Sequence, residues 1–382
     1  MLKSPGKIRI LNIGDVHLGH ARTPTEFILK NLRTTICSPS ILKEIDLVTI
    51  AGDFFDKCLS YSDPQVAEIE QWITQFLWLC ATHKVVLRVL EGTPSHDWKQ
   101  SSFFAQQAKN ANIPVDVRHV TELSIEEHTG LGVSILYVPD KWRPTTTETW
   151  SEVQGLLHEH GLRQVDFAVM HGAFEYQLPE IVTEPAHDSK AYQDIVRYLI
   201  FIGHVHRSFV RDRIVPSGSF DRLVQGEEEP KGFHVAVVDL EEGTFTLTFH
   251  ENKKAKIYKA VDLSGVDETT LWARLDHLVR SYPKRSAFSL RVGRDNTIAK
   301  VLKEIRGRYP EYEWDLVVEK TKKEKTEEME KAMQANMIHL PDLTPDVIMS
   351  KVKTILHAKK MDTTLIESAS IYLKDILDGR TT

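Results

Sequence analysis

Five short apolar runs end in residues that can hold metal ions or move protons. KIRILNIGDVH delivers Asp15 and His17, IDLVTIAGDFFD delivers Asp53 and Asp56, and VVLRVLEGTPSHD delivers His96 and Asp97. VDFAVMHG ends in His171, and YLIFIGHVH ends in His204 and His206. Asp15 and His17 stand two residues apart, as do His204 and His206. In extended chain such pairs point to one side, so each pair could serve one ion. Asp53 adds a carboxylate whose two oxygens can bridge two ions, and His171 adds a further imidazole. Oxygen and imidazole donors without thiolate suit Mn²⁺, Mg²⁺, Fe or Zn²⁺. Six such ligands are too many for one catalytic ion with open positions. Two ions roughly 3.5–4 Å apart, the spacing of two-metal phosphoester chemistry, fit better. A lone loop histidine carries no such meaning, so His158, His160, His187 and His234 are read as ordinary polar positions.

Something must bring these five endings together. Each run has strand length and β-branched content. Helical periodicity fills longer stretches between them, such as PQVAEIEQWITQFLWLCATH at 64–83. The alternation predicts an α/β fold, a sheet core flanked by helices, with ligands collecting beyond the carboxyl ends of the strands. GFHVAVVDLEEGTFTLTF (232–249) alternates around a turn and reads as a hairpin closing a first domain, 1–250. Between 256 and 319 strand and helix patterns alternate on a smaller scale and predict a compact second α/β domain. KTKKEKTEEMEKAMQ then opens a charge-dense linker, 320–343, too poor in apolar residues to pack. Thr344-Pro345 and the Thr364/Glu367 capping pair start two amphipathic helices within 344–379. Their apolar faces need either the chain's own body or a partner.

Composition narrows the class further. With 382 residues, 41% of them hydrophobic, the chain can bury a real core in two or three units. Cys37, Cys58 and Cys80 are odd in number and show no CxxC spacing, which argues against zinc fingers and disulfide frameworks and fits a reducing cytoplasm. The N-terminal apolar run is broken by Arg9, Asn12 and Asp15, so it makes neither a signal core nor a membrane span. No membrane association is expected.

GDVHLG, GDFFD, a glycine loop ending in HD, MHG and GHVH, in this order, resemble the calcineurin-like metallophosphoesterases. Within them the HLG after Asp15, the Phe before Asp56 and the later PSGSFDRL (216–223) are most similar to the SbcD-type DNA double-strand-break repair nucleases. The resemblance implies a metallophosphoesterase-type core, a small capping domain over 256–319 and a C-terminal helix pair binding an SbcC-type coiled-coil ATPase. It places Asp15, His17, Asp53 and His206 on one ion and Asp53, His171 and His204 on the other, with Mn²⁺ expected and Mg²⁺ the alternative. It makes His96 the catalytic histidine, oriented by Asp56, with a metal-activated water attacking phosphorus. One motif departs. The family's loop reads Gly-Asn-His, and its Asn carbonyl serves the second ion. Here GTPSHD is longer and lacks asparagine, so Ser95, with Thr93 as second candidate, is expected to supply a weaker oxygen.

The resemblance also implies a homodimer with exonuclease action on duplex ends and endonuclease action on single strands; the compact tail and the cysteine usage point to the cytoplasm of a bacterium or of a virus's host. Ten basic residues stand between 274 and 308 against three acidic ones. Such a cluster could neutralise DNA phosphates, and Arg285, Arg291, Arg294 and Lys300 are its candidate contacts. Two other readings stay open: a phosphodiesterase or phosphatase acting on a small substrate, and a catalytically weak scaffold that binds DNA ends.

Overall fold

The computed structural model describes residues 2–178, 185–293 and 298–318. One compact unit spans Met1–Val317 and a second spans Val318–Thr382. The expected linker and terminal helix pair fall outside the described residues.

The first sheet takes four parallel strands, β1 (Lys7–Ile13), β2 (Leu47–Ala51), β3 (Val86–Leu90) and β4 (Val117–Val120). A second sheet uses β5 (Ser124–His128), β6 (Val133–Val138), β7 (Val165–His171), β8 (Val196–Gly203) and β9 (Ile214–Pro216), parallel from β6 onward. The expected hairpin is β10 (Gly232–Asp239) with β11 (Thr244–Glu251), and β10 runs antiparallel beside β1. Sequence pattern predicted one sheet core; the molecule builds two, face to face. A small third sheet, β12 (Tyr258–Asp262), β13 (Ala287–Val292) and β14 (Glu313–Val318), carries two helices and its own core around Phe288, Leu275 and Trp314. Among the described residues no helix is long and apolar enough to cross a membrane.

Period-2 alternation explains the layering. On β1, Ile8 and Ile10 face the second sheet, while Leu11 and Ile13 face helices Thr25–Thr34 and Pro64–Thr82. Val86 and Leu90 on β3, with Val133, Ile135 and Val169 opposite, fill the space between the sheets. Helices Thr146–Glu159 and Ser189–Ile195 cover the outer face of the second sheet. The result is helices, sheet, sheet, helices, with parallel strand ends of both sheets opening on the same edge.

Polar side chains are also buried in this sandwich. Arg88, 3% exposed, bridges the sheets: its Nη2 lies 2.6 Å from Glu126 Oε1 and its Nη1 2.8 Å from Asp116 Oδ1. Tyr137 donates its hydroxyl to the same Glu126. Removing the cation alone leaves a carboxylate poorly compensated, a change that costs about 3–5 kcal/mol in buried pairs. Arg88→Met should therefore lower the urea-unfolding free energy by about that amount.

His234 on β10 is packed beside Phe249 and meets Ser208 Oγ at 3.2 Å. Burial pushes its pKa down from 6.5 to about 4. The folded state then binds fewer protons than the unfolded chain between those values. Its stabilising contribution is complete above about pH 6.5 and is lost as pH falls toward 4. Relative to His234→Phe, the wild-type unfolding free energy should fall across that window. A pH-independent difference would contradict this assignment.

Candidate metal centre

The five apolar runs become β1, β2, β3, β7 and β8, and their last residues meet where the two sheets open. The approach is close enough to exclude side chains. A Cβ on Gly203 would lie 2.1 Å from Ala51 O, and one on Gly52 (φ +79°) would lie 2.3 Å from His171 Nδ1. Glycine at both positions lets the strand ends touch. The loops after β1 and β2 are laced by backbone bonds, Val16 N to Asp53 O at 2.9 Å and Leu18 N to Phe54 O at 2.9 Å. Asp15, His17, Asp53 and His204 all take positive φ. Such conformations cost about 1–3 kcal/mol each and collect at functional sites.

Three groups of donors converge there. Asp15, His17 and His206 form one; His17, Asp53 and His96 a second; Asp53, His171 and His204 a third. Within each, the ligand atoms lie no more than 4.8 Å apart. The structure thus gathers all six strand-end ligands predicted from sequence, with His96 beside them, and Asp53 belongs to two of the three groups.

Ring orientation shows what this arrangement suits. Asp56 Oδ1 lies 3.1 Å from His17 Nδ1, Glu227 Oε1 2.8 Å from His206 Nδ1, and Ala51 O 2.7 Å from His171 Nδ1. A carboxylate or carbonyl can only accept, so each Nδ1 donates and Nε2 is the nitrogen on which a metal could take the place of a proton. The Nε2 atoms of His17 and His206 are 3.1 Å apart. At that distance the two nitrogens either share one proton or face one cation. Asp53 likewise calls for positive charge. Burial would raise its carboxyl pKa, but the His171 charge and hydrogen bond, aided by His96 and His17, hold it well below the carboxylate range. His171 responds in kind: burial opposes its cation, yet Asp53 lifts its pKa to about 10. Buried His/Asp groups of this composition fit a divalent metal.

Two expectations for the loop after β3 are corrected. Ser95 is exposed on the short helix Pro94–Asp97 and takes no part in the cluster. Thr93, the extended residue before that helix, turns inward. Its amide donates to Asp53 Oδ1 (2.6 Å), and its hydroxyl lies 3.3 Å from both Asp53 Oδ2 and His171 Nε2. Asp56 does not orient His96 but His17, because its amide is tied to Leu18 O. His96 Nδ1 instead meets Asp53 Oδ2 at 3.0 Å, a hydrogen bond that raises its pKa. With 36% of its side chain exposed, His96 stands at the mouth.

Sequence reasoning missed two supports. Glu227 lies in the acidic run GEEEP, which looks like a solvated loop. Its contacts to His206 and to the Leu223 amide (2.8 Å) come from the fold. Lys231, almost fully buried, lies 3.4 Å from Glu227. Asp97, fully buried, accepts from the amides of Asp53, Phe55 and Gly92 and so holds two ligand loops together.

The expected DNA contacts fare differently. Arg285 is exposed but paired with Glu26 on helix Thr25–Thr34 at 3.1 Å. Arg291 is exposed on β13. Arg294 and the side chain of Lys300 fall outside the described residues. Among their neighbours, Arg306 donates to Trp314 O, and Arg308 pairs with Asp276 and lies over Trp272. Much of the basic cluster is engaged locally.

No family model matches the sequence, nor does any curated protein. Among solved structures, TT1561 of Thermus thermophilus aligns with a TM-score of 0.39 and 10% identity, over 63% of this chain and 98% of that one. A second crystal structure aligns with a TM-score of 0.35 and 14% identity, over 64% and 99%.

If Glu227 orients a ligand, its replacement should act through metal affinity. Glu227→Gln is expected to weaken Mn²⁺ binding about 10–100-fold in calorimetry. The melting temperature of the metal-free protein should move far less. Unchanged affinity would remove Glu227 from the site.

Proposed function

We propose that this chain is a divalent-metal-dependent phosphodiesterase that cuts DNA, in line with the SbcD-type nucleases its motifs resemble. The observation that carries this reading is Asp53, one buried carboxylate shared between donor groups. It groups with His17 and His96 and again with His171 and His204, while His17 also groups with Asp15 and His206. Apart from His96, these residues would hold two ions, Mn²⁺ first and Mg²⁺ as the alternative, with Thr93 in the place given to Ser95. Bound ions of this class supply an activated water and neutralise charge developing on phosphoryl oxygens.

The chain's own residues would do the rest. Asp15 and Asp53 bring the negative charge that retains cations. Asp56, Glu227 and the Ala51 carbonyl hold three imidazoles in the tautomer that leaves Nε2 free to ligate. His96, kept cationic more readily by Asp53, holds a proton at the mouth and can pass it to a departing oxygen.

DNA is favoured over a small diester by the rim. Lys57, Lys99, Lys141 and Arg143 are exposed on the loops after β2, β3 and β6. No arginine follows Asp56 or His96 to grip a monoester. The ATPase partner, the homodimer and the cytoplasmic setting belong to the same proposal and rest on the resemblance.

Mn²⁺-dependent cleavage of hairpin and linear duplex DNA should be lost in Asp53→Asn, together with metal binding. In His96→Ala it should fall about 10²–10⁴-fold while metal binding is retained to a greater degree. Turnover of a nitrophenyl diester with DNA left intact would favour the small-substrate reading. Normal DNA binding without cleavage, in the presence of the ATPase partner, would favour the scaffold.

A further inference from the structure

Beside the metal centre lies a cavity of about 310 Å³, lined by Asp140, Trp142, Gly172, His187 and the candidate ligand His204 among others. That volume falls in the range of small-molecule pockets, roughly 300–1,000 Å³. Its floor is polar in an unusual way. His187 is 7% exposed, and its Nδ1 is shut off from solvent without a hydrogen-bond partner among the described residues. The ring is not loose. Backbone bonds from His187 N to Ala173 O (2.8 Å) and from Glu175 N to His187 O (3.1 Å) fix its segment, and Tyr192 packs edge-on against it. Burial pushes its pKa down to about 4, which favours a neutral ring whose Nε2 is the nitrogen on the Gly172 side. Asp140, just past the end of β6, likewise has no hydrogen-bond partner among the described residues for its buried Oδ2. The two converge across Gly172, where an added methyl carbon would lie 3.5 Å from His187 Nε2 and 3.7 Å from Asp140 Oδ1.

The wall is aromatic and pre-set. Trp142 donates its Nε1 to Glu152 Oε2 at 2.7 Å, and the Arg143 guanidinium, itself bonded to Glu152, lies 5.0 Å from the indole ring. Lys141 and Arg143 are exposed on the same loop. A flat ring against the indole, a polar edge toward His187 Nε2 and Asp140 Oδ1, and a phosphate toward the rim would match this lining.

We propose that this cavity takes a nucleobase bearing an exocyclic amine, from the nucleotide flanking the phosphate at the metal centre. The proposal rests on the DNA-cleaving reading above and gives it a subsite. An Asp140 carboxylate can only accept, which suits the amine donors of cytosine, adenine and guanine. Thymine presents a single ring N–H between two carbonyl oxygens and would be disfavoured. A base can enter only when unstacked, so single strands, hairpin loops and frayed ends would engage it and an intact duplex would not.

Calorimetry on the full chain without metal separates base recognition from cleavage. dCMP and dAMP should bind about tenfold more tightly than dTMP, and phosphorothioate trinucleotides of the same bases should keep that order. Asp140→Asn should erase the preference. Trp142→Phe, with its fold checked by circular dichroism, should weaken all three ligands. Equal binding of the three by the wild type, or an undiminished preference in Asp140→Asn, overturns the proposal. A preference among free nucleotides that vanishes in trinucleotides overturns the assignment to a strand. Preferences that hold in trinucleotides while the Mn²⁺-loaded protein cuts no DNA support the pocket and retire the nuclease reading alone.

Discussion

Everything at the mouth of this molecule is arranged around one carboxylate that water does not reach. Asp53 is 2% exposed, and three imidazoles and a backbone amide crowd its two oxygens. A buried carboxylate is costly unless positive charge compensates it. Here the compensation is spread over side chains from three strand ends, so none of them can move independently. That shared demand makes the site a single object.

The fold meets the demand by geometry. Parallel strands of two stacked sheets open on one edge, and glycines at Gly52 and Gly203 let their ends close to contact distance. Left-handed backbone at Asp15, His17, Asp53 and His204 then aims side chains inward instead of along the strands. Such strain persists only where the surroundings over-determine it. The backbone bonds lacing the loops after β1 and β2, and Asp97 with its three amides, provide that restraint.

Much of this could be read from residue order. The strand endings, the paired spacing of Asp15/His17 and His204/His206, and the hairpin β10–β11 are local patterns, and local patterns survive folding. What escaped depended on contacts distant in sequence. SIEEH gives no hint that it forms the edge strand of the second sheet, because Glu126 is tolerable there only against Arg88, 38 residues away. Two sheets could not be told from one, since an apolar strand looks the same in either. Spacing from His96 favoured Ser95, but Pro94 starts a helical turn that carries Ser95 outward and leaves Thr93 facing Asp53. Asp56 went to His17 for a similar reason, as a bridge from Phe55 to Leu18 fixes its loop. His187, read as an ordinary polar position, proved to be a buried ring whose Nδ1 has no hydrogen-bond partner among the described residues.

The central claim is that Asp53 is shared between two cations. Anomalous diffraction at the manganese edge from crystals soaked in Mn²⁺ tests it directly. Two peaks should flank the Asp53 carboxylate, one within ligand distance of Asp15, His17 and His206, the other of His171, His204 and the Thr93 hydroxyl. A single peak, or peaks that leave Asp53 outside ligand distance, would contradict the account.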